Sequence, residues 1–378
     1  MRTWSDSPFE RTVPLSQINR YTDADVISRD NGESYVIFEP PGHEGWLVKL
    51  YKPDLRVDHG MLRRLIELPG TMPPADLARV DDSVAWPVAR VLDGYRTVGT
   101  VMAKATQEFS WDIALLGGRT KRRLIEIDHL ANLPQRQRQL GFPVPDSEQR
   151  LNAVRNMVAC AALFERHDVV YADWSFANAF WSPRTQQTLI IDVDAAGLGQ
   201  RRFVETPNWE DPLMDPGRPV TTHTDRYKVA LLVARVMTGH RQGHQPALAE
   251  MERQYPAHTH LIETVRRALS AMSAEARPTL AELQQAVENP GGVRRGAPAS
   301  GGDNVRTMRV WTPPAKPSSA ATVSFTRQAK PGGPSPPPPA PPSRPRPSAH
   351  FMDFLTTALA LLAMVALAIA VALHPLFH

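Results

Sequence analysis

The chain has 378 residues and a single cysteine, Cys160, which excludes an intrachain disulfide and any metal site built from several thiolates. Cys160 sits in the apolar pattern Val154, Val158, Ala161 and Leu163, where a thiol acts as a small hydrophobe and not as a nucleophile. Met1–Pro14 contains no apolar run, so no signal peptide is expected there. Most of the chain also lacks a basic excess. The pI is 9.3, yet nine Lys/Arg stand against two Asp/Glu from Gly291 onward, leaving 34 basic and 37 acidic residues before it. The positive charge belongs to a tail, and no nucleic-acid partner is expected for the rest.

What the chain does have in quantity is proline, 36 in all, much of it between Pro313 and Pro347. Pro336–Pro342 favours extended polyproline II and cannot build a core, so residues 291–350 are expected to be a disordered, basic, Pro-rich linker. Its main use would be spacing, and its second use docking of a partner that binds Pro-rich motifs. Phe354–Leu373 is an uncharged run, long enough at about 1.5 Å per residue to cross a hydrocarbon core of about 30 Å. A transmembrane helix is therefore expected over 351–374, in contact with membrane lipid. Arg344 and Arg346 precede it and no Lys or Arg follows, which predicts a single-pass cell-membrane protein with its amino-terminal part in the cytoplasm.

The remaining residues divide by pattern. Tyr35–Phe38 and Trp46–Tyr51 are β-type runs around a Pro/Gly-containing connection, suggesting a hairpin, with Lys49 in the second run. Met61–Leu68 has helical spacing and stops at Pro69-Gly70. Val84–Leu92 and Thr97–Met102 read as two strands joined at Asp93-Gly94. Helical periods then take over at Asp146–His167, Asp225–Thr238, Leu261–Met272 and Thr279–Val287. Strands first and helices after them predict an α+β fold, not alternating βα units.

One constellation carries chemistry. Asp173 is followed five residues later by Asn178, then by a turn, and then by Asp192 closing the apolar run Leu189-Ile190-Ile191. Two carboxylates and an amide supply the oxygen ligands that magnesium requires, and this spacing is that of a phosphoryl-transfer site.

With these motifs the chain resembles the protein kinase superfamily, in a divergent bacterial serine/threonine branch, over about Ser28–Val287. The resemblance implies a bilobal fold, with a small strand-rich N-lobe (1–103) and a larger helical C-lobe (104–290), and it implies ATP and Mg2+ as cofactors. Leu47-Val48-Lys49 is similar to the Val-Ala-Ile-Lys strand, which would put Lys49 on the nucleotide phosphates and Glu67 opposite it as ion-pair partner. Gly32 would lie in the loop covering the phosphates, and Met102 and Lys104 in the strand whose backbone meets adenine. Asp173 would be the catalytic base, with Asn178 and Asp192 the metal ligands. Thr224-Asp225-Arg226-Tyr227 resembles the helix start whose Asp braces the catalytic loop. Arg277-Pro278-Thr279 resembles the segment whose Arg pairs with a buried acid, here Glu210 or Asp211.

Some positions depart from the family pattern. The stretch Ser28–Ser34 holds one glycine and two acids where a glycine-rich loop is expected. Tyr171-Ala172 replaces the His-Arg before the catalytic Asp, which removes a pairing site for a loop phosphate. Ser175 stands where a Lys is expected, and Asp194 replaces the Gly of Asp-Phe-Gly, either as a second metal carboxylate or as a solvated turn residue. The implied function is ATP-dependent phosphoryl transfer to Ser/Thr of a protein substrate. The alternative is a pseudokinase adaptor that recruits partners to the membrane, and transfer to a small molecule ranks third.

Overall fold

The computed structural model describes residues 1–292 apart from 116–117, 203–205, 216 and 242. The expected linker beyond residue 292 and the expected membrane span lie outside the described residues. Among the described residues no helix is long and apolar enough to cross a membrane.

The amino-terminal part is a six-stranded sheet. Its strands are β1 (Thr12–Pro14), β2 (Val26–Asn31), β3 (Ser34–Phe38), β4 (Trp46–Tyr51), β5 (Pro87–Asp93) and β6 (Arg96–Ala103), in the order β1-β5-β6-β4-β3-β2. Only the β1–β5 pair is parallel. One face buries Val36, Phe38, Trp46, Val48, Val88, Val91 and Val101. Lys49 sits in the middle of β4, opposite Ile37 on one side and Thr100 on the other. Gly99 makes that pairing possible, because a Cβ there would lie 2.4 Å from the Lys49 carbonyl oxygen.

The short helix α1 (Leu15–Ile18) follows β1, and two longer helices connect β4 to β5: α2 (His59–Glu67) and α3 (Pro74–Ser83). Asp58 caps α2 by accepting from Met61 N at 2.9 Å, and Leu62, Leu65 and Ile66 form its buried stripe. Two indoles hold the end of α2. Trp4 Nε1 donates to Ile66 O at 2.9 Å and Trp86 Nε1 to Leu65 O at 2.8 Å.

Beyond β6 a polar hairpin, β7 (Ser110–Ala114) with β8 (Thr120–Leu124), leads to α4 (Pro134–Gln139) and α5 (Ser147–Arg166). A reciprocal Asp146–Gln149 capping box starts α5. Four short strands follow it: β9 (Val169–Val170), β10 (Ala179–Trp181), β11 (Thr188–Ile190) and β12 (Gly197–Leu198). β10 pairs with β11, and β12 returns to pair with β9. The described residues close with α6 (Thr222–Thr238), α7 (His244–Gln254), α8 (Thr259–Leu269) and α9 (Leu280–Glu288). α6 is buried nearly all round, which explains its weak amphipathic signal; α5, α7 and α8 pack about it, and α9 packs against α5 and α8, in one apolar core.

Candidate active site

The candidate site is built on two loops, one after β9 and one after β11. The first loop, Tyr171–Asn178, would have to hold its backbone polar groups away from helix or sheet, and buried charges do this from below. Asp225, at the start of α6, accepts from Tyr171 N at 3.0 Å and from Ala172 N at 2.6 Å. Lys228, one turn further along α6, donates to Ala172 O at 2.8 Å, and Arg201 donates to Tyr171 O. Ala172 is thereby kept in the left-handed region, φ 58°. This bracing role for Asp225 is the one the sequence resemblance implied. Lys228 and Arg201 carried no motif that would have singled them out.

Burial pushes the Asp225 carboxyl up to about 7, against the pull of the Ala172 and Tyr171 amides and of Arg201 and Lys228. The unfolded chain releases this proton near pH 4, so between about pH 4 and 7 the native state holds a proton that the unfolded state lacks. The stabilisation from this group is therefore full at the acidic end and lost as pH rises toward 7, a change of about 4 kcal/mol. Urea unfolding of the full chain from pH 4.5 to 7.5 is expected to contain that decline, and Asp225→Asn is expected to flatten it. Parallel profiles for the two proteins would show that Asp225 does not titrate in this window.

Asp173 lies at the top of this loop. Its Oδ1 accepts from Thr206 Oγ1 at 2.9 Å, while its backbone oxygen accepts from Ser175 N at 2.7 Å and from Asn178 Nδ2 at 3.0 Å. With Nδ2 engaged inside the loop, the amide oxygen of Asn178 is the group left to meet a cation. Asn178 O in turn receives Ile191 N at 3.1 Å, and Tyr171 Oη donates to Ile191 O at 2.6 Å. The tyrosine that replaces the expected His thus ties the two loops together. Asp192 follows directly, with φ 55°.

Lys49 reaches across from β4. Its Nζ is 3.0 Å from Asp192 Oδ1 and 3.1 Å from Asp194 Oδ1, and Tyr51 Oη donates to Asp194 Oδ2 at 2.8 Å. Burial works to lower the Lys49 ammonium, but the two carboxylates outweigh it and hold the pKa above the usual lysine value. Asp194 is buried and paired, so it is not the solvated turn residue that was one of its two expected roles. A cavity of about 440 Å³ opens beside it, lined by Tyr51, Arg56, Met61, Leu62, Gln200 and Arg201. Met102 and Lys104 do not line it, so it is not the expected adenine cleft.

Two expected positions need correction. Glu67 does not meet Lys49. It is the last residue of α2, its carboxylate is half exposed, and it pairs with Arg63 at 3.4 Å one turn back on the same outward face. Lys104 cannot offer its amide to adenine, because the sheet register runs one residue past β6 and Lys104 N donates to Gly45 O at 2.9 Å. Its ammonium pairs with Glu39. Met102 is buried in β6 opposite Leu47, and Gly32 occupies the β2–β3 turn with φ 55°, flanked by the exposed acids Asp30 and Glu33.

The buried acid for Arg277 is Asp211. The guanidinium grips it with both terminal nitrogens, at 2.6 and 2.5 Å, while Glu210 accepts from Asn208 N instead.

The fold is protein-kinase-like. A strand lysine meets an acid at the end of a hairpin, an Asp–Asn loop is braced from the central helix, and a buried Arg–Asp pair closes the larger lobe. No protein-family model matches the chain, and no curated protein matches it. Among solved structures it is similar to the kinase domain of Mycobacterium tuberculosis PknI, with 15% identity over 72% of this chain and 97% of that one, at a TM-score of 0.47. A double mutant of the same domain aligns at 17% identity over 73% of this chain and 97% of that one, with a TM-score of 0.48.

The donor types of the two loops, carboxylate and amide oxygens, are those a magnesium ion would accept. Among the described residues no cluster of three or more His, Cys, Asp or Glu side chains could cage a metal alone. Magnesium commonly takes only one or two protein oxygens and fills its octahedron with water and phosphate. Asp192, nearly half exposed, and the Asn178 amide oxygen would be the two to supply them.

Proposed function

We propose that the chain is an ATP-dependent protein kinase acting on Ser/Thr, held at the membrane by its carboxy-terminal segment and facing the cytoplasm. The observation that carries the reading is the meeting of Lys49 and Asp192 at 3.0 Å, beside a loop whose start at Tyr171 and Ala172 is braced by Asp225 and in which Asn178 Nδ2 donates to the Asp173 backbone oxygen. Asp173 would orient the acceptor hydroxyl and take its proton, and Lys49 would counter charge on the phosphates. Asn178 and Asp192 would hold magnesium, which when bound neutralises charge building on the phosphoryl oxygens. Positioning and fixed charge are most of what such a reaction needs from a protein. Thr206, with its hydroxyl on Asp173, marks where an acceptor hydroxyl would sit.

A second reading, a nucleotide-poor adaptor, draws on the β2–β3 turn, where Asp30 and Glu33 flank the single Gly32. Acids near a triphosphate repel it. Transfer of label from γ-labelled ATP and magnesium by the full chain separates the two readings. The kinase reading expects incorporation into the chain itself or a general protein acceptor, lost in Asp192→Ala. Nucleotide-dependent thermal stabilisation without any transfer would leave the adaptor standing.

A further inference from the structure

A lysine that counters phosphate charge has to be held in place, and in the resemblance above an acid on the small-lobe helix holds it. In this chain α2 is not built for that duty. Its side chains packed toward the Lys49 strand are Leu62 and Ile66, which form an apolar cluster with Tyr51. Glu67 faces outward with Arg63. Rotating α2 to bring Glu67 inward would expose Leu62 and Ile66. It would also break the Trp4 and Trp86 indole bonds to the last carbonyls of the helix.

Two carboxylates reach Lys49 instead, and their burial separates their duties. The Asp192 side chain is 45% exposed. The Asp194 side chain is 1% exposed, with one oxygen on Lys49 and the other on the Tyr51 hydroxyl. Each Asp194 oxygen is thus already engaged, and the side chain is nearly closed to solvent. Were the exposed Asp192 to turn to a ligand, the buried Asp194 is the carboxylate that would stay with Lys49. We propose, on the phosphotransferase reading, that Asp194 backed by Tyr51 is the positioning residue for Lys49, and that α2 therefore does not gate the site. The anchor of the lysine and the candidate cation ligand then travel on one short loop.

The test compares Asp194→Asn, Tyr51→Phe and Glu67→Gln in the full chain. Its first readout needs no turnover: the rate at which an amine-acylating reagent labels Lys49 at fixed alkaline pH, followed by peptide mass spectrometry against exposed Lys121. Asp194→Asn is expected to speed Lys49 labelling severalfold, because the ammonium loses the buried carboxylate that holds it in place. Tyr51→Phe should act in the same direction by a smaller factor, and Glu67→Gln should leave the rate unchanged. The second readout is the ATP KM against kcat, with KM expected to rise in Asp194→Asn and neither constant to move in Glu67→Gln. Unaltered Lys49 labelling in Asp194→Asn, or acceleration in Glu67→Gln, overturns the proposal. If Asp194→Asn unfolds, every lysine accelerates together and Tyr51→Phe decides, with an unchanged Lys49 rate counting against. A wild-type chain that transfers no phosphate yet gives the expected labelling pattern would remove the kinase reading and keep the Lys49 anchor.

Discussion

Replacing Asp173 by Asn is expected to lower phosphoryl transfer by about 10²–10⁴-fold, the usual weight of a positioned general base, with little change in the KM for ATP. The substitution is close to a single-function change here. The Asp173 backbone oxygen is held by Ser175 N and Asn178 Nδ2, and the loop beneath is held by Asp225, Lys228 and Arg201, none of which hydrogen-bonds the Asp173 carboxylate, although its charge helps offset the burial of the Lys228 ammonium. An Asn side chain keeps an oxygen for Thr206 Oγ1 but cannot accept the proton of an incoming hydroxyl. The loss should therefore fall mainly on kcat, with at most a small drop in thermal stability from the lost charge facing Lys228. Steady-state kinetics on the full chain check it, and a variant with kcat within threefold of wild type would show that Asp173 is not the base.

Much of this site was legible in the sequence because its chemistry needs particular residue types at fixed local spacing. Asp173 and Asn178 share one loop, Asp192 ends the hairpin after it, and Asp225 opens the next long apolar helix; each of these is a local pattern. Arg277 was legible too, though its partner was open between Glu210 and Asp211 until burial and the bond to Asn208 N separated them. Glu67 failed for a geometric reason. Apolar periodicity located α2, but Leu62 and Ile66 take the positions facing Tyr51, which leaves Glu67 on the outward face with Arg63. Asp194 could not be assigned because its role depends on Tyr51 and Lys49, more than 140 residues earlier in the chain.

The elements that went unread have weak patterns. β1 is three residues long and is held by parallel pairing with β5. In β8, Thr-Lys-Arg-Arg-Leu is exposed throughout and shows no alternation. α7 buries only Ala247 and Met251, too little for a visible stripe. α3 starts at Pro74 without a side-chain cap and buries only Val80 and Ser83.

Arg277→Met is expected to destabilise the full chain by about 3–5 kcal/mol, because it leaves Asp211 charged, buried and without its counterion. The pair is 1% and 2% exposed, with two parallel N–H···O bonds, and Arg277 Nη1 also donates to His223 O at 2.9 Å just before Asp225. In thermal unfolding this corresponds to a fall of roughly 5–8 °C for a folded part of this size. Adding Asp211→Asn to Arg277→Met should recover part of the loss, since the amide keeps an acceptor for Leu213 N and removes the stranded charge. A single-mutant cost below about 1 kcal/mol would be that of an exposed pair and would contradict this burial. The consequence reaches the site through a short path. Arg277 fixes Asp211, while Arg235 lies over the Trp209 ring at 4.5 Å and donates to Asn208 O at 2.8 Å. Between them the two arginines fix the segment that delivers Thr206 to Asp173. Loosening one of them should cost transfer activity at temperatures well below the unfolding transition, and the single and double mutants should regain activity in the order in which they regain stability.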